Sequence, residues 1–152
     1  MVNINLDNDI QKNQIKIDNK NKRVAYLSTY IEDLKRQINF DSQKNLVLIK
    51  IDGKTFWRSG SLDELTFNDA IKSIMEIDLP NKDKILREGF INCILKEDLE
   101  STSDLPISIF RNFKQYMLDT ICKEKEKIKE EIKVLSNDMQ NLITDTSISL
   151  DL

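Results

Sequence analysis

Asp52 stands before Gly53 in the stretch LVLIKIDGKTFWRSG, residues 46–60, which also holds the chain's only Trp and two of its three glycines. A carboxylate beside a glycine suits two different roles. It can help to hold divalent metal ions against nucleotide phosphates, or it can form the two-residue turn of a β-hairpin, where both positions need positive φ. A second acidic group, Asp63, Glu64 and Asp69 in LDELTFNDA, has the donor types a metal would accept, but its pattern is that of a helix start and a solvated helix face. No His occurs anywhere in the 152 residues. That removes Ser-His and Cys-His nucleophile activation, His general bases and His metal ligands. Phosphate-cradling glycine loops, the GxSxG nucleophile turn and the EF-hand ladder are absent too. No catalytic residue, cofactor or metal ligand is therefore expected, and the expectation is a non-enzymatic protein.

Cys93 and Cys122 are the only cysteines; each falls within a helical apolar pattern, and no CxxC spacing occurs. Reduced, buried, small hydrophobes are the expected state.

Around Asp52-Gly53 the β-rich runs VLIKI and KTFWR predict a hairpin. A two-residue turn sets Ile51 opposite Lys54, Ile49 opposite Phe56 and Val47 opposite Arg58 on one face, with Leu48 and Trp57 meeting on the other. Both faces are then substantially apolar. A lone hairpin is only marginally stable in water, so helices or another chain must cover it. The run LIKIDGKTFWRS also resembles the strand and turn of tRNA-histidine guanylyltransferases over about a dozen residues. That resemblance implies metal-dependent nucleotidyl transfer, with Asp52 and the Gly53 backbone holding metal ions and nucleotide. Only Asp52, Gly53, Lys54 and Phe56 match; Trp57 stands where that family has His, and no later Ser-Asp-Glu strand supplies a partner carboxylate. The hairpin turn is the preferred reading.

The elements that must position this stretch are long and helical. Ile10, Ile17, Val24, Ile31 and Ile38 fall seven apart, with Leu6, Asn13, Lys20, Leu27 and Leu34 as their companions. These are the a and d positions of a coiled-coil or long bundle helix over residues 1–40, strongest from 24 to 38. A second pattern, Leu118, Ile121, Ile128, Ile132, Leu135, Met139 and Leu142, runs through residues 108–145, with Lys125 as its polar exception. Phe110, Phe113 and Met117 lie on a neighbouring stripe, as an inserted turn would place them. The charged run CKEKEKIKEEIK has mixed signs and suits a solvated stalk. Each helix would span roughly 50 Å at 1.5 Å per residue, which suggests an antiparallel helical hairpin. Residues 146–152 lack helical period and are expected to be a flexible tail.

The middle, 41–107, should hold the hairpin and two to three short helices. Ser61 with Glu64 reads as a capping box, followed by an apolar face of Leu62, Leu65, Ile71, Ile74 and Met75 and closed by Pro80. Ile85, Leu86, Phe90, Cys93, Ile94 and Leu95 form the core set of the next helix.

The expected fold is thus mainly α, with coiled-coil-like terminal helices flanking a β-hairpin and short helices. A net charge of −3, from 23 basic and 26 acidic residues, gives no strong field for collecting phosphates and disfavours nucleic acid as a partner. No apolar run approaches the roughly 20 residues that span a bilayer. The N-terminus also lacks a signal-peptide layout. A cytoplasmic protein, or one carried in a virion assembled in host cytoplasm, is expected. Abundant Ile, Lys and Asn with only Ala25 and Ala70 match A+T-rich coding DNA, a bacteriophage among the possible sources. The expected partners are further copies of the chain, another protein, or both. Ile17, Val24, Leu27, Ile31, Leu34, Ile38, Ile128, Ile132 and Leu135 would form the helix interface, with Trp57 as a second contact. The competing expectation is a small regulator, inhibitor or chaperone-like protein acting on a different partner.

Overall fold

The computed structural model describes residues 4–95 and 104–151. The fold is mainly helical, with two two-stranded antiparallel ladders flanked by two long helices. Helix α1 (Ile4–Lys44) contains neither Gly nor Pro. It stops at Asn45, whose φ of 52° is the left-handed conformation that ends helices and that Asn tolerates. Strands β1 (Val47–Ile51) and β2 (Lys54–Arg58) form the hairpin in the expected register, Leu48 opposite Trp57 and Ile49 opposite Phe56. Helix α4 (Ile107–Asp151) closes the described chain. Its backbone remains helical through residues 146–151, beyond the boundary at 145 that loss of apolar period suggested.

The middle departs from expectation in its details. Ser61 is not a helix cap; Ser61–Leu62 is a short strand, β3, paired antiparallel with β4 (Leu105–Pro106). Helix α2 (Glu64–Ile74) begins instead at Asp63, whose side chain accepts from the Thr66 N–H. With Leu62 in a strand and Leu65 exposed, the buried face of α2 is Phe67, Ala70 and Ile71. Pro80 does not close this helix, which ends at Ile74. In the residues that follow, Met75, Ile77 and Leu79 are buried and Glu76, Asp78 and Pro80 are exposed. Apolar residues with a period of two cannot share one helical face, and here the chain leaves the helix through a turn and a bend. Helix α3 (Lys82–Leu95) is the second of two short helices among the described residues.

The chain divides into two compact units, residues 30–120 and residues 1–29 with 121–152, so that α1 and α4 each contribute to both. Unit 30–120 has the denser core, with Val47, Ile49, Phe67, Ile77, Ile109, Phe110, Phe113 and Met117 at most 1% exposed. Phe67 meets Phe90 and Phe110 edge-on, with ring centroids 5.6 and 6.4 Å away. Burying each such ring contributes about 1.5–3 kcal/mol. Gly89 of α3 lies so close to Tyr116 that an added Cβ would stand 2.5 Å from its ring. The other unit is thinner. Its buried apolar side chains, among the described residues, are Ile17, Leu27, Ile121 and Ile128, contributed by one segment of α1 and one of α4.

Candidate interaction sites

The Asp-Gly stretch is a hairpin turn. Asp52 has φ 50° and Gly53 φ 75°, the pair of positive angles that a type I′ turn requires. Asp52 is exposed at the tip, and among the described residues no three His, Cys, Asp or Glu side chains are grouped to hold a metal ion. Asp63 serves as the cap of α2, its Oδ1 accepting from the Thr66 N–H at 2.7 Å. That hydrogen bond holds its carboxyl below the ordinary value. Neither cysteine is in a disulfide; Cys93 is buried and Cys122 half-buried.

A polar cluster absent from the sequence reading lies behind the hairpin. Lys114 Nζ stands 2.8 Å from Asp41 Oδ2, and both side chains have zero exposure. Lys114 also donates to the Leu48 carbonyl at 2.6 Å, while the Leu48 N–H donates to Asp41 Oδ1 at 2.9 Å. The ion pair therefore grips both backbone groups of one β1 residue. Burial pulls the Lys114 ammonium below its ordinary value, against the opposing hydrogen bond and charge of Asp41. The Phe110 ring, 4.9 Å from Nζ, adds a cation–π contact. The heptad spacing held the signal, because Asp41 lies seven residues past Leu34 and Lys114 seven before Ile121. Both continue their d series by one polar step.

Two apolar surfaces of this unit face solvent. Trp57 is 43% and Phe40 of α1 40% exposed, yet their rings meet edge-on at 6.3 Å with Lys44 Nζ 5.7 Å from the indole. Between α2 and α3 lies a groove of about 360 Å³, floored by Ile71, Leu86, Phe90 and Ile91 and flanked by Lys72 and Arg87.

The residues expected to form the helix interface have varied positions. Ile17, Leu27, Ile31, Leu34 and Ile128 are buried; Val24, Ile38, Ile132 and Leu135 are half-buried; Trp57 is exposed. In the thinner unit Lys20 of α1 reaches Glu131 of α4 at 2.7 Å and holds its carboxyl below the ordinary value. Beside this pair runs a groove of about 860 Å³, lined by Lys16 and Lys20 on one helix and Lys127, Glu130, Glu131, Val134 and Leu135 on the other. Among the described residues no helix is long and apolar enough to cross a membrane. Compared with known proteins, the chain has no significant match to a family, a curated protein or a solved structure.

Proposed function

We propose that this chain is a non-enzymatic structural, assembly or adaptor protein that oligomerises through coiled-coil-like contacts of its long helices. One observation carries the reading: in the unit formed by residues 1–29 and 121–152, Val24, Ile132 and Leu135 keep part of their surface in water although the two helices already pair. A pair of helices can enclose only the line between them, and bundles complete such cores with further helices. A component of a bacteriophage particle, or of its assembly in host cytoplasm, is the setting that the composition suggests.

A second reading has its own support. The exposed Phe40–Trp57 pair beneath Lys44 has the aromatic and cationic character of an interface anchor. It suits a small regulator or chaperone-like protein that binds an unrelated partner.

Absolute mass by light scattering over a concentration series separates the two. A discrete oligomer supports assembly. A monomer at every concentration overturns it and leaves the Trp57 surface as the contact to pursue.

A further inference from the structure

We infer that the groove beside the Lys20–Glu131 pair is the seat of a second copy of this chain, related by a two-fold axis. The inference rests on the assembly reading and adds the location and the chemistry of the contact.

The groove has an apolar floor with wet edges. Val134 is 53% exposed and Leu135 half-buried, although both line the same concavity. Its α4 wall is built from residues 127, 130, 131, 134 and 135. Spacings of three and four bring these side chains onto one stripe, the shape against which another helix lies.

The charges select the occupant. Lys20 and Glu131 satisfy each other within the chain at 2.7 Å. Lys16, Lys127 and Glu130 remain exposed along the walls. A wall of one sign would draw an oppositely charged peptide or a phosphate backbone and would repel its own copy. Here both signs line one apolar trough. An interface related by a two-fold axis must complement itself, because each residue that meets a partner is met by the same residue in return. A patch that carries lysines and a glutamate together can meet that condition, with Lys16 or Lys127 of one copy facing Glu130 of the other and the reverse across the axis. The thinness of the unit gives the reason for association, since a second helix pair would cover Val134 and Leu135 and complete a four-helix arrangement.

The test uses the full-length protein in three forms. Val134→Glu places a charge on the apolar floor at an exposed position. Lys16→Glu/Lys127→Glu leaves the wall charges outside the Lys20–Glu131 pair all acidic, and Glu130→Lys leaves them all basic. Sedimentation equilibrium of each is followed, with circular dichroism as the check on folding. The wild type should form a dimer or a higher even-numbered oligomer. Each variant should raise its dissociation constant by about tenfold or more with helicity unchanged, and mixing the acidic with the basic variant should restore association. A wild-type oligomer that none of these changes weakens, or failure of the mixture to reassociate, overturns the groove while leaving the assembly reading intact. A wild-type monomer overturns both.

Discussion

Asp41 and Lys114 form a fully buried ion pair at 2.8 Å that also binds the N–H and C=O of Leu48. Removing one partner strands the other charge. Lys114→Met should therefore cost about 3–5 kcal/mol in urea unfolding. Many buried pairs can be exchanged for apolar residues at little loss. Asp41→Leu/Lys114→Leu should not behave that way, because two backbone groups would lose their partners at about 1–3 kcal/mol each. Wild-type stability in the double variant would refute this account.

Asp63 caps α2 through the Thr66 N–H, and its carboxyl titrates below its ordinary value. The charged form is thus favoured by folding. Its stabilisation is complete above pH about 4 and is lost as pH falls through the lowered folded-state value. Asp63→Ala should lower the melting temperature at neutral pH and leave a shallower acid limb than the wild type. Asp63→Asn should keep the cap while losing that limb. Thermal melts between neutral and acidic pH provide the comparison.

Gly89 marks the close approach of α3 to α4. An alanine there would gain roughly 1 kcal/mol of helix propensity, yet its Cβ would stand 2.5 Å from Tyr116 and 3.0 Å from Phe113. Overpacking of this kind typically costs about 1–3 kcal/mol. We expect Gly89→Ala to be net destabilising in denaturant melts, and Gly89→Ala/Tyr116→Ser to recover part of the loss.

At the hairpin tip the constraint lies in the backbone. An added Cβ at Gly53 meets nothing within 4 Å, but φ is 75°. Gly53→Ala should cost about 1–2 kcal/mol from that angle alone. Asp52→Asn should remain within about 0.5 kcal/mol of the wild type, since Asn is equally at home in such a turn. Metal-dependent nucleotide binding that Asp52→Asn weakens, measured by calorimetry, would instead support the chemistry implied by the guanylyltransferase-like stretch.

The features legible in the sequence were those set by local geometry. Asp52-Gly53 between two β-rich runs fixed the hairpin register residue by residue, and the seven-residue spacings located α1 and α4. The ladder between Ser61–Leu62 and Leu105–Pro106 was hidden, because strands of two residues carry no period. Its pairing also takes Ser61 away from the capping role that its spacing to Glu64 suggested. Asp41 and Lys114 are hard to find in the sequence because polar residues at core positions look like the end of a seam. The heptads also left open which helix would cover each position. Ile31, 3% exposed within one chain, is covered there, so a lysine at that position would test folding before it tested association.

The grip on Leu48 also affects how the hairpin meets other chains. Beside a two-residue turn, Ile51–Lys54, Ile49–Phe56 and Val47–Arg58 exchange the ladder hydrogen bonds, so the backbone groups of Leu48 point away from β2. That outer edge of VLIKI would otherwise be a template for strand addition and aggregation. Asp41 and Lys114 plug it at Leu48, while β2 is exposed and carries Lys54 and Arg58 at its ends. The buried ion pair thus blocks strand addition at the Leu48 edge of β1, so that sheet growth on that side of the hairpin is closed off by a charge pair rather than by another strand.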